Sequence, residues 1–159
     1  GPEQTAASSI DIDGDGTPEV LLGTDGGDLV CYGTDAKERW RCNLGDKITR
    51  LVPVDLNGDG TPAIVCAAES ANVFALDLGG EVIWRTSLPD GSSDLAVWWQ
   101  DAEPRLAVAA GSAGVYVLDG AGTIIGRGET DGPARAVAVI GDRIVITTAD
   151  GTIEAVDAR

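Results

Sequence analysis

From residue 4 onward the chain alternates short apolar runs of about four to seven residues with clusters of Gly, Asp, Asn and Pro. Runs of this length, rich in Val, Ile, Leu and Ala and punctuated by turn formers, predict β-strands joined by tight turns. No stretch carries the 3.6-residue apolar period over the ten or more positions that a helix needs. Within runs such as Val115-Tyr-Val-Leu118 both alternating phases are largely apolar. A strand of that kind sits in a sheet buried on two faces.

The runs fall into repeating groups. Asp11-Ile-Asp-Gly-Asp-Gly-Thr-Pro-Glu19 recurs as Asp55-Leu-Asn-Gly-Asp-Gly-Thr-Pro-Ala63, so copies starting at residues 11 and 55 set a period of 44. The copies continue through Leu29-Val-Cys-Tyr32 and Val73-Phe-Ala-Leu76, and end on Trp40 and Trp84, which keep the same spacing. A third, looser copy reads Pro104 to Gly111, Val115 to Asp119 and Thr123 to Ile125, with Trp98 and Trp99 where the earlier copies carry carboxylates. A fourth begins at Pro133 and holds three runs rather than four. Repetition at this length marks one supersecondary unit per copy, stacked so that neighbours bury each other. Four-stranded sheets, apolar on both faces and repeated, describe the blades of a β-propeller. The expected fold is therefore all-β, one propeller segment of about four four-stranded blades, the last lacking one strand. The expected boundaries are 5–47, 48–91, 92–132 and 133–159, with Gly1-Pro2 read as the remnant of a cleaved expression tag. Trp40 and Trp84, recurring at the period, are expected to pack between blades.

In the first loop the oxygens of Asp11, Asp13, Asp15, Thr17 and Glu19 fall on alternate positions, Thr17 through its backbone carbonyl, while Gly14 and Gly16 permit the tight coil that turns them inward. A hard, flexible oxygen shell suits Ca²⁺ better than Mg²⁺, which demands a near-octahedral set. The second loop offers Asp55, Asn57, Asp59 and Thr61, but Asn57 lowers its charge and Ala63 removes the last carboxylate. Its affinity is expected to be weaker. An EF-hand shares the opening of this motif but needs a bidentate Glu at position 12, where this chain has Leu22. The apolar runs after both loops are strand-like, so the ion is expected to clamp the first two strands of a blade.

These stretches, Asp11 to Trp40 and Asp55 to Trp84, resemble the FG-GAP or VCBS-type calcium-loop repeats of integrin α-subunit-like propellers, merged with a PQQ-like blade pattern. The resemblance implies a propeller of seven or eight blades in the assembled ring. Function is not implied as firmly, because propellers of these families serve adhesion, protein or carbohydrate recognition and sometimes catalysis.

Charge and composition narrow the functions. Asp and Glu number 26 against 11 Lys and Arg, a net charge of −15, with no basic run, which argues against nucleic acid as a partner. No run of apolar residues is long enough for a membrane span. There is no histidine, which excludes Ser-His-Asp and Cys-His nucleophiles and His-ligated zinc. The pairs Asp101 with Glu103 and Asp90 with Asp94 have the residue types of glycosidase chemistry. Their spacing does not show that they converge. Trp98-Trp99 is either a sugar-stacking platform or one packed and one exposed indole, the second being favoured. Of the three cysteines, Cys31 and Cys42 flank one hairpin, but free thiols are the favoured state.

The expected function is a non-enzymatic, calcium-stabilised recognition or scaffolding module of secreted or cell-surface origin. The alternative is a propeller fragment of a quinoprotein-type or polysaccharide-active enzyme. An arc of four blades would leave two end faces bare, expected to be lined by Ile10, Ile12, Val137, Val139, Ile144 and Ile146. Two chains related by a two-fold axis could close one eight-bladed ring, against the alternatives of a tight four-bladed monomer or a piece of a longer propeller.

Overall fold

The computed structural model describes residues 1–158, and the last residue of the expected fourth blade lies outside that range. Among the described residues fifteen antiparallel strands form four separate sheets, each a simple up-and-down meander. The first sheet holds β1 (Gln4–Ile10), β2 (Glu19–Thr24), β3 (Asp28–Tyr32) and β4 (Glu38–Asn43). The second holds β5 (Ile48–Val54), β6 (Ala63–Ala68), β7 (Asn72–Leu76) and β8 (Val82–Ser87). The third holds β9 (Asp94–Gln100), β10 (Glu103–Ala109), β11 (Val115–Asp119) and β12 (Ile124–Gly128). The fourth has β13 (Ala134–Ile140), β14 (Arg143–Thr148) and β15 (Ile153–Asp157). These are four propeller blades, the last with three strands.

Consecutive blades stack through their first strands, β1 on β5, β5 on β9 and β9 on β13, and among the described residues no comparable packing joins the fourth blade back to the first. The chain is an open arc. Its core is therefore three inter-blade layers rather than one centre. Leu21, Leu29 and Cys31 of the first blade meet Ile64, Cys66 and Phe74 of the second. Val65, Val73 and Ala75 meet Leu95, Leu106 and Leu118, and Ala107, Ala109 and Val115 meet Val137, Ile144 and Ile146. This explains why both phases of the middle strands are apolar: in β6 all six residues are buried.

Three hydrogen-bonding devices hold the layers in register. At or just before the first strand of each of the first three blades a hydroxyl donates to a carbonyl of the next: Thr5 to Ile48 (2.5 Å), Thr49 to Ser92 (2.9 Å) and Ser93 to Arg135 (2.6 Å). Thr5 and Thr49 sit at bulges where the ladder skips a residue, which frees their backbone from pairing and aims the hydroxyl sideways. Arg135 occupies the corresponding bulge of the fourth blade and brings no hydroxyl. Between blades, Asp90 accepts from the Ser112 N–H (2.8 Å) and hydroxyl (2.6 Å) of the third blade, and Asp46 accepts from the Ser70 N–H of the second.

The third device is the tryptophan. Trp40 Nε1 donates to the Leu78 carbonyl (2.9 Å) and Trp84 Nε1 to that of Gly120 (3.1 Å), each indole lying over a turn of the following blade. The turn residues underneath are Gly80 and Gly122, both left-handed, and a Cβ built there would come within 2.7 and 2.6 Å of the indoles. Glycine is required twice over, by φ and by the ring above it. In the third blade Gly126 pairs with Val117 as Trp84 pairs with Ala75, so the fourth strand of that blade brings no indole to a turn of the fourth blade.

The end faces differ from expectation. Ile10 and Ile12 belong to the layer between the first two blades, and Val137, Val139, Ile144 and Ile146 to the layer facing the third. Because both phases are apolar, the run itself does not say which phase faces the neighbour. The bare faces are the opposite phases: Val20, Leu22 and Tyr32 of the first blade, and Ala138, Val145 and Ala155 of the last. All three cysteines are free, Cys31 lying opposite Trp40 and Cys42 opposite Leu29. Burial pushes the Cys66 thiol far above its ordinary range and raises those of Cys31 and Cys42 in the same direction.

Candidate metal centre

Both acidic loops connect the first and second strands of their blades. In the first, positive φ at Gly14 and Gly16 (76° and 87°) coils the backbone so that its N–H groups point at carboxylates. Asp11 accepts from Gly14 N through Oδ1 (2.8 Å) and from Gly16 N through Oδ2 (2.9 Å), Asp13 from Asp15 N (3.2 Å) and Asp15 from Thr17 N (2.7 Å). These bonds pin three acceptor-only side chains close together despite their mutual repulsion. Asp11, Asp13 and Asp15 each present an oxygen within 4.8 Å of the others. Two ligands of one Ca²⁺, each about 2.3 to 2.6 Å from it, are separated by no more than about 5 Å, so the three fit one ion.

Glu19 stands apart from that group. Its side chain is 97 % removed from solvent, at 3 % exposure, and Oε2 accepts from Ile12 N (3.0 Å), tying the base of the loop to β2. Thr17 follows the third carboxylate on the exposed rim.

The second loop repeats the scaffold almost bond for bond. Asp55 accepts from Gly58 N (2.8 Å) and Gly60 N (2.9 Å), and Asp59 from Thr61 N (2.7 Å). The Gly60 N–H, joined by those of Gly58 and Asn57, holds the Asp55 carboxyl below the usual carboxylate range. Asn57 changes the chemistry: its amide donates to Asp59 Oδ2 (3.0 Å), closing internally a valence that a cation would otherwise fill. Ala63 leaves no counterpart of the Glu19 anchor. In the third blade the loop is a short turn in which Asp101 and Ala102 both have positive φ (53° and 65°). Trp98 there packs in the layer against the fourth blade, while Trp99 is 58 % exposed.

Of the four carboxylates considered for catalysis, Asp90, Asp94 and Glu103 have structural partners. Asp90 serves Ser112, whose hydroxyl and N–H hold its carboxyl low, and Asp94 accepts from Val137 N (3.0 Å) and lies 3.7 Å from Arg50. Glu103 pairs with Arg105 (2.9 Å). Sequence reasoning missed the hydroxyl clasps, although Thr5, Thr49 and Ser93 recur at the 44-residue repeat period itself.

With the geometry in place, comparison with known proteins locates the chain. A model of the family described as FG-GAP-like repeat matches residues 11–66, the stretch that contains both loops, which supports the FG-GAP character of the first two repeats. No curated protein matches the chain. Among solved structures it is similar to BBS1N, crystallised in complex with ARL6DN, at TM-score 0.80 and 14 % identity, covering 98 % of this chain and 52 % of that one. It is similar to Sqt1 of Saccharomyces cerevisiae at TM-score 0.81 and 11 % identity, over 99 % and 46 %. The computationally designed Ika4 protein matches at TM-score 0.69 and 16 % identity, over 98 % and 91 %. The chain thus spans about half the length of BBS1N and Sqt1. At these identities the likeness is one of fold. Among the described residues no helix is long and apolar enough to cross a membrane.

Proposed function

We propose that this chain is a non-enzymatic, calcium-stabilised half-propeller that serves recognition or scaffolding and completes its ring by pairing with a second copy. The observation that carries the reading is the open arc: three blade junctions are fully built, and two apolar end faces are left without a neighbour. A bound Ca²⁺ would be held by Asp11, Asp13 and Asp15 with the Thr17 carbonyl, and more weakly by Asp55, Asn57, Asp59 and the Thr61 carbonyl. The ion supplies positive charge that cancels the carboxylate repulsion and so locks β1 to β2. Glu19 is proposed to contribute by fixing the loop base through Ile12. A PQQ-like ancestry of the tryptophan-bearing fourth strands fits the same reading, as does a secreted or cell-surface origin, where calcium is plentiful.

Support for a non-enzymatic role comes from the lack of histidine and from the engagement of Asp90, Asp94 and Glu103 in structural contacts. A general acid at neutral pH needs a raised pKa, and that of Asp90 is shifted the other way.

Two measurements test the proposal. With a Kd of about 10⁻⁴ to 10⁻³ M, as in extracellular modules, about 10 mM Ca²⁺ adds about 1.4 to 2.7 kcal/mol of stability and about 3 to 10 °C of melting temperature. Asp13→Ala should abolish most of that gain and Asn57→Asp should enlarge it; a melting temperature indifferent to calcium and chelator refutes the clamp. Light scattering should give twice the mass of one chain, and Val145→Asp, on the bare face of the last blade, should halve it. A soluble, cooperatively folded particle of one chain's mass rules out the paired ring.

A further inference from the structure

A cleft of about 580 Å³ opens between the second and third blades, beside the second acidic loop. Its volume lies within the range of small-molecule sites, and its walls are mainly apolar: Leu56, Pro62, Leu78, Ile83 and Trp84. The charged groups that line it are both carboxylates, Asp59 and Asp77.

The protein's own repeat shows what makes this cleft. The junction between the first and second blades has the same plan, with Trp40 lying on the next turn as Trp84 does. There the position of Ala63 holds Glu19, whose side chain turns back to Ile12 N. The position of Ile83 holds Arg39, whose guanidinium lies across Gly33 and within 3.5 Å of Asp35. The position of Gly120, whose carbonyl receives the indole N–H, holds Leu78, packed with the first layer. All three replacements at the second junction remove side-chain bulk or charge. All three are tied to the cleft directly: Ala63, Ile83 and Gly120 line it. Gly120 allows the Leu56 carbonyl to approach so closely that any Cβ there would collide with it.

We propose that this cleft binds a small organic cation with an apolar body, such as an aryl-alkyl ammonium. The apolar body lies against Trp84, Pro62 and Ile83, and the ammonium faces Asp59 and Asp77. Ile83 at 56 % exposure and Trp84, half-buried, are a surface that an apolar group would cover. Asp59 accepts from Thr61 N and Asn57 Nδ2, and Asp77 from Gly79 N and Glu81 N, both at 2.9 Å. A carboxylate has about four lone-pair sites, so each retains capacity for an ammonium donor and none to donate to an anion. The chain's net charge of −15 favours the same sign of ligand.

The test is an NMR titration of the chelator-treated protein with phenethylammonium, 2-phenylethanol and 3-phenylpropionate, so that its outcome is separate from that of the calcium reading. Expected are a Kd below about 1 mM for the ammonium, at least about tenfold weaker binding of the alcohol, and no binding of the carboxylate. Ile83→Arg and Ala63→Glu, which restore the residues of the first junction, should each weaken the ammonium at least about tenfold. Ile83 is largely exposed, so its variant stays folded even if Ala63→Glu does not. The proposal is overturned if the alcohol binds as tightly as the ammonium, if Ile83→Arg leaves the affinity unchanged, or if no chemical shifts respond to the ammonium.

Discussion

Replacing Gly122 by alanine tests the tryptophan lock at its base. The native φ of 79° places an L-residue in the left-handed region, which costs about 1 to 2 kcal/mol. The added Cβ would also lie 2.6 Å from Cδ2 and Cε3 of Trp84, and relieving such an overlap in a packed layer costs about 1 to 3 kcal/mol. Gly122→Ala is therefore expected to destabilise by about 2 to 5 kcal/mol. The first blade supplies an internal control: Ala36 occupies the corresponding turn position with φ 58°, so alanine itself is tolerated there when no indole lies above. Trp84→Ala alone loses a half-buried indole and the bond to the Gly120 carbonyl, about 2 to 4 kcal/mol. Once the indole is gone its overlap vanishes, and Gly122→Ala in that background should cost the backbone term and the smaller adjustment of Thr86 Oγ1, 3.0 Å from the new Cβ. A double-mutant cycle by urea unfolding should then show a coupling of about 1 to 3 kcal/mol between the two sites. Additivity within about 0.5 kcal/mol would falsify the claim that Gly122 is there to receive Trp84.

The hydroxyl clasp is tested by Thr49→Val, which keeps the shape but removes the donor to the Ser92 and Ala67 carbonyls; a loss of about 1 to 2 kcal/mol is expected, and Thr49→Ser should recover much of it. Acid should weaken the protein through its depressed carboxyls. Asp55, held low by the Gly60 N–H, and Asp90, held low by Ser112, contribute stability that is fully present above the unfolded value of about 3.9 and is lost as pH falls through their lower folded values. Urea midpoints should thus be flat in this respect above about pH 5 and fall below about pH 4, and Ser112→Ala should shrink that fall. A midpoint that rises on acidification to pH 3 would contradict the assignment.

The strand count, the 44-residue period, the two acidic loops and the inter-blade role of Trp40 and Trp84 are all legible in the chain, because each depends on local chemistry. Turn residues end strands, alternate oxygens coil around paired glycines, and a large aromatic recurring at one period needs one repeated socket. What could not be read was which phase of a doubly apolar strand meets its neighbour. Val137 and Ile144 against Ala138 and Val145 differ too little in hydrophobicity to decide, and only the stacking of the third blade on the fourth resolves it. Glu19 reads as a ninth-position ligand by spacing, but its carboxylate is turned to Ile12 N by the burial of β2. The hydroxyl clasps and the Gly80 and Gly122 sockets likewise depend on atoms about 36 to 44 positions apart in the chain. Sequence fixes what each blade is made of through neighbours in the chain. The junctions, the bare faces and the cleft beside Trp84 arise only when one blade is laid against the next.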